Sequence, residues 1–184
     1  MKTRLVLLLL NAQMAFGQPA QIILFRHAEK PDKPGDTHLS ARGSERARLL
    51  ASLLGKHSTL TSNTVVAALY ATRATKHGKG LRTGETLAPL ATELALAVQT
   101  PFESENYKSL ARRVLAEPAY RGKTVIICWT HHEIAALAKA LGVKPKPPRW
   151  RDEVFDRFWV IGFNSGKAVL RDLPQGLLPG DAKQ

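Results

Sequence analysis

Arg26 and His27 stand side by side at the end of a short apolar run, Ile22 to Phe25. Such a run, β-branched at its start, suits a buried strand. Neither a guanidinium nor an imidazole gains from core burial, so the pair belongs where the strand leaves its sheet. In open α/β sheets, ligands bind there, outside the carboxyl ends of the strands. A guanidinium so placed can hold a phosphate through paired charge-assisted hydrogen bonds. The imidazole beside it can attack the phosphorus, because histidine forms covalent intermediates. The plain alternative is a basic turn in which His27 caps or is solvated, and four residues alone do not decide between them.

A second histidine cluster, Thr130-His131-His132-Glu133, follows another apolar run, Lys123 to Thr130. A zinc site built on His131, His132 and Glu133 has little support. Adjacent helical residues point apart, and no His-Glu-x-x-His spacing occurs. Between the two clusters lies a basic loop with Arg73, Lys76, His77, Lys79 and Arg82, loosened by Gly78 and Gly80. It follows the strand candidate Val65 to Tyr70. A solvated surface loop explains it, but it leaves the same kind of strand end as Arg26 and His27. Arg82 at a helix N-terminus would add its charge to free backbone N–H groups, a recurrent phosphate-binding arrangement. Cys128, the lone cysteine, excludes an intramolecular disulfide and reads as a small buried hydrophobe; a catalytic thiol would need an activating neighbour, and His131 is close in sequence.

The elements that must position these groups alternate between strands and helices. Ala47, Leu50, Ala51 and Leu54 share one helical face, stopped by Gly55. Leu87, Leu90, Ala91 and Leu94 form another face, with Pro89 tolerable near the helix start or as a kink. Tyr107, Leu110, Ala111 and Val114 make a third, and Ile134, Leu137, Ala138 and Leu141 a fourth, ended by Gly142. Arg157 to Phe163 and Ala168 to Leu170, joined by Asn164-Ser165-Gly166, read as a hairpin at a sheet edge. The tail from Pro174 is expected to fray. The fold class is therefore α/β, a three-layer α/β/α sandwich with a mostly parallel central sheet.

Lys2 and Arg4, the apolar Leu5 to Leu10 and the small residues around Ala15-Phe16-Gly17 have the layout of a secretory signal peptide. The expected organisation is a signal peptide at 1–17 and a single domain at 18–184, exported to the periplasm or secreted, with no transmembrane segment. The net charge of +12 raises the question of nucleic acid or membrane surfaces. With no consecutive basic block and no stacking-aromatic motif, no specific nucleic-acid partner is expected.

Read with Glu29, the Arg26-His27-Ala28-Glu29 stretch resembles the Arg-His-Gly/Ala-Glu signature of the histidine phosphatase superfamily, the phosphoglycerate-mutase-like enzymes. Leu39-Ser40-Ala41-Arg42-Gly43, with Arg46 and Ala47, resembles that superfamily's first helix. Leu81-Arg82-Thr83-Gly84-Glu85-Thr86 resembles its Arg-Ala-x-Gln-Thr segment, with Glu85 where Gln is usual. Arg73-Ala74-Thr75 is a rival for that segment. Thr130-His131 resembles its Ser/Thr-His-Gly junction, with His132 in place of Gly.

The resemblance spans about residues 22 to 163 and implies a phosphoglycerate-mutase-like fold. It implies His27 as a nucleophile that becomes transiently phosphorylated, with Arg26, Arg82 and His131 stabilising the transferring phosphoryl. A Glu from the 103–105 region would be the general acid, with Glu105 the choice. Arg73, Lys79 and His132 are candidate substrate-binding residues. No metal or other cofactor is required, since the Arg and His groups supply the positive charge. The implied activity is hydrolysis of a phosphate monoester or phosphoramidate on a phosphorylated small molecule or phosphoprotein. A mutase would have to hold and reorient its product, and export favours a hydrolase. The rival readings are a catalytically degenerate relative that binds a phosphorylated ligand, and a basic polyanion-binding protein.

Overall fold

The apolar run before Arg26 forms β1 (Gln21–Arg26), in which Ile22, Ile23, Leu24 and Phe25 are wholly buried. In the computed structural model, residues 18–182 are described apart from His57, Thr59 and Ser62. The segment read as a signal peptide, 1–17, lies outside the described residues. Alternation along β1 shows why burial is complete. Ile22 and Leu24 face one apolar cluster, while Ile23 and Phe25 face another on the opposite side of the sheet.

Helices α1 (Ala41–Leu54) and α2 (Leu81–Leu94) cover the Ile23 side, and α3 (Tyr107–Ala116) and α4 (His131–Ala140) cover the Ile22 side. Strands β2 (Val66–Ala71), β3 (Val98–Gln99), β4 (Thr124–Trp129), β5 (Arg157–Asn164) and β6 (Lys167–Pro174) complete a sheet of order β3-β2-β4-β1-β5-β6. β1, β2, β3 and β4 are mutually parallel, and the β5–β6 hairpin adds antiparallel to β1. This is the expected three-layer α/β/α architecture. Among the described residues, no helix is long and apolar enough to cross a membrane.

Two local expectations change, and one strand is new. β3 has only two residues and so carries no periodicity to read. Pro89 lies well inside α2 rather than near its start. Its ring frees a carbonyl one turn back, while Leu87 and Leu90 beside it are fully buried and keep the helix docked. Through residue 182 the tail is seated rather than frayed. Gln175 is 1% exposed, and the Asp181 carboxylate closes on the buried guanidinium of Arg46. A charge taken out of water needs a charged partner, and the tail supplies it.

Candidate active site

β1 and β4 are neighbours, and their last residues, Arg26 and Trp129, pair in register. His27 and the Thr130-His131 junction therefore emerge side by side, with the two imidazole centroids 6.3 Å apart. Arg82 arrives from the first turn of α2, beyond β2 on the other side of β4. Gly80, at φ 93°, caps that helix in a backbone conformation that favours glycine. Together these groups line a cavity of about 260 Å³, with Lys30, Thr37, Lys79 and His132 on the same wall and no carboxylate among the described lining residues.

His27 is held for use of one nitrogen. Its Nδ1 lies 2.7 Å from the carbonyl oxygen of Ala28. A carbonyl only accepts, so Nδ1 carries the proton and Nε2 keeps its lone pair. Burial lowers the pKa of His27 to about 3, helped by the nearby Arg26 and Arg82 charges and opposed by the Ala28 hydrogen bond. The ring is thus neutral throughout the physiological range. The loop behind it is pinned as well: the Ala28 amide donates to Thr86 Oγ1 at 3.0 Å, and that hydroxyl donates to the Arg82 carbonyl at 2.6 Å.

Arg26 is 2% exposed and is gripped by a segment far away in sequence. Its Nη1 donates to the carbonyl of Asp152 at 2.6 Å and to those of Arg151 and Val154 at 3.3 Å. The Phe155 ring lies 3.8 Å from the guanidinium carbon, in cation–π contact. Burial lowers the Arg26 pKa to about 10, against the pull of Asp152, so it stays charged at neutral pH. Nη2 reaches His131 Nδ1 at 3.3 Å, which places the His131 proton on Nε2, 3.4 Å from an Asp152 carboxylate oxygen. Burial and the Arg26 charge lower the His131 pKa to about 4.

Two buried polar atoms find no partner among the described residues, Arg26 Nε and Thr130 Oγ1. Leaving such a group unpaired costs about 1–3 kcal/mol. Both belong to residues that line this one cavity. The same wall carries Arg82 and two neutral imidazoles, groups that can receive an oxyanion.

The remaining predicted residues divide. Arg82 lines the cavity, while its side chain donates to the His38 carbonyl at 2.9 Å and to that of Asp36. Arg73, the rival, turns away and donates to the Pro101 carbonyl, outside the cavity. Lys79 lines the cavity and bonds Glu105 at 2.7 Å. That ammonium holds Glu105 below the usual carboxylate range, and Glu105 itself is not part of the cavity wall. His132 is exposed at the rim with its ring 3.8 Å from that of His131. Adjacent side chains were expected to point apart, but at the first turn of α4 both rings lean the same way. No cluster of three metal-ligating side chains occurs among the described residues. Cys128 is wholly buried in β4, and burial pushes its thiol pKa up, so it is an inert core residue.

Sequence reasoning missed the 151–156 segment that covers Arg26 and the buried network behind Glu29. Backbone carbonyls accept most of the Arg26 bonds, and they leave no mark on residue type. The Thr86 hydroxyl, by contrast, sits inside the segment matched at Leu81 to Thr86 and was within reach.

No protein-family model and no curated protein matches the sequence. Solved structures do resemble the fold. They include an alpha-ribazole phosphatase from Shigella flexneri (TM-score 0.57, 15% identity, 84% of this chain and 96% of that one covered). A mycobacterial glucosyl-3-phosphoglycerate phosphatase, solved with inorganic phosphate, gives a TM-score of 0.56 at 16% identity over 83% of this chain and 95% of the other. A phosphoglycerate mutase from Bacillus anthracis gives 0.58 at 12% identity, covering 86% and 94%. At such identities the likeness concerns the fold.

Proposed function

From the premise that this chain has the phosphoglycerate-mutase-like fold of the histidine phosphatase superfamily, we propose that it hydrolyses a phosphate monoester or phosphoramidate through a phosphohistidine on His27. The observation that carries this reading is the His27 ring itself. It is neutral, its Nδ1 proton is committed to Ala28, and it lines a cavity with Arg26, Arg82 and His131.

His27 Nε2 attacks phosphorus as the bond to the leaving oxygen breaks. Arg26, Arg82 and the His131 Nε2–H take up the charge on the equatorial oxygens. The proton for the leaving oxygen comes from Glu105. An anionic substrate that draws the Lys79 ammonium to itself removes the partner that lowers the pKa of this carboxyl, and the phosphate's own negative charge beside it raises that pKa further. Water then attacks the phosphorus, the P–N bond breaks, Glu105 takes the water's proton, and orthophosphate leaves. His27 returns to its neutral form.

The test uses the acid lability and base stability of phosphorus on imidazole. Base quenching during turnover of a labelled aryl phosphate should trap label on the peptide holding Arg26 and His27. His27→Ala should lose label and turnover together, by at least about 10⁴-fold. Label on another residue, or full activity in His27→Ala, removes the mechanism. Export belongs to the same proposal. Protein recovered from its host should begin at or near Gln18, and an intact Met1 chain in the cytosol would contradict export.

A further inference from the structure

The structure assigns a positioning role to the C-terminal segment 175–181: through Asp181, Arg46 and Glu29 it straps the His27 loop in place. The role rests on the phosphohistidine reading for its catalytic consequence, but not for its geometry.

Glu29 lies two residues after His27, and both its backbone and its side chain are held. Its carbonyl accepts from the Ser40 amide at 2.9 Å, which draws the loop onto the start of α1. Its carboxylate receives Arg46 Nε at 3.0 Å and Nη2 at 2.7 Å. Arg46 is 2% exposed on α1, and its far edge is taken by the tail: Nη1 and Nη2 donate to the two Asp181 oxygens at 2.7 and 2.8 Å. Nη1 also donates to Gln175 Oε1 at 3.0 Å. The guanidinium thus spans two carboxylates, one beside the nucleophile and one 135 residues downstream. A planar fork is suited to such a double bidentate grip, and a lysine ammonium is not.

The same segment braces the other half of the site. The Gln175 amide donates to the Asp156 carbonyl at 2.7 Å, and the Ala182 amide to the Asp156 carboxylate at 2.7 Å. Asp156 directly follows Phe155, the ring packed on Arg26. Asp181 organises the strap internally by accepting the amides of Leu177 and Leu178 at 3.0 and 3.1 Å. One carboxylate therefore closes the tail on itself and on Arg46. Through Arg46 it fixes the loop that presents His27.

None of these tail residues lines the catalytic cavity, so their effect on turnover has to pass through position. Losing Asp181 leaves the outer edge of Arg46 with Gln175 Oε1 as its tail contact in place of a bidentate carboxylate, and the Glu29 loop gains freedom. Displacement of a nucleophile by about 1 Å costs roughly a hundredfold in rate.

The experiment compares the full-length Asp181→Ala, Asp181→Glu and Asp172→Ala proteins well below each one's own melting temperature. Asp172 pairs with Arg157 across β5 and β6 at the protein surface and serves as a control ion pair. Asp181→Ala should lower kcat roughly tenfold to a hundredfold with KM within about twofold. Asp181→Glu should recover part of the loss, and Asp172→Ala should match the parent. In solution NMR, the His27 and Ala28 resonances should move in Asp181→Ala and stay put in Asp172→Ala. An Asp181→Ala protein with parental kcat and unmoved resonances overturns the strap, as does a loss of activity that only tracks the unfolded fraction. A parent chain without turnover would sink the phosphatase reading alone, because the resonance comparison still decides the strap.

Discussion

On the β1 side of the cleft, the loop after His27 is fixed by buried charge: Arg46 and Asp181 are both nearly inaccessible, and Glu29 is bound through backbone and carboxylate. On the β2–α2 side, Arg82 and Lys79 are tied to the carbonyls of Asp36 and His38 and to the exposed Glu105. Buried, fully paired charges resist displacement, because removing one partner strands the other in a poor solvent. Contacts that water can replace yield cheaply. His27 is therefore preset, and the basic wall opposite can rearrange.

Glycine substitutions should break this contrast most sharply. A Cβ at Gly43 would overlap the Glu29 carbonyl oxygen and stand 2.9 Å from the Glu29 amide nitrogen, where only backbone could give way. Gly43→Ala should cost about 1–3 kcal/mol in urea denaturation and roughly a hundredfold in kcat. Gly84, inside α2, has nothing within 4 Å of its would-be Cβ. Gly84→Ala should stabilise the fold by about 0.5–1 kcal/mol and leave kcat unchanged.

Among the arginines of the adjustable side, Arg82→Ala should lower kcat/KM about a hundredfold. Arg73→Ala should change it less than about twofold, since that side chain serves the Pro101 carbonyl. The reverse order in steady-state kinetics would assign the proposed phosphate-binding role to Arg73.

The two sides should also answer pH in opposite directions. His27 and His131 have pKa values lowered from 6.5 to about 3 and about 4, so the unfolded chain binds more protons between those limits. Their stability contribution is present above about pH 6.5 and is lost as pH falls toward 4 and 3. His38, exposed and bonded to Glu85, has its pKa raised. Its contribution is present below the ordinary histidine value and fades as pH rises through the raised one. Denaturation midpoints measured from pH 4.5 to 8 should fall less steeply toward acid in His27→Leu than in the parent. His38→Ala should instead lose most at the acid end.

The smallest effect concerns the rim. His132 stacks on His131 at the exposed rim. His132→Gly should broaden the range of accepted phosphate esters while slowing the preferred one less than about tenfold. An unchanged substrate profile would detach His132 from specificity.

Much of this architecture was written locally. Ile22 to Phe25 suits a buried strand, and the helical faces ending at Leu54 and Leu141 follow from spacing. The polar residues that break those apolar runs, Arg26-His27 and Thr130-His131, marked both strand ends of the site in advance, because local sequence encodes where a buried element stops. Tertiary structure alone decided that β1 and β4 are neighbours, which turns two separate motifs into one site. It also decided that Arg82 lines the cavity and Arg73 does not, and that the tail past Pro174 is seated rather than frayed. Those outcomes depend on contacts such as Arg46 to Asp181 and Arg26 to the Asp152 carbonyl, made across 135 and 126 residues. An unpaired guanidinium can be recognised in a sequence as needing partners. Which carboxylate or carbonyl comes within 3 Å of it is settled only when the chain packs.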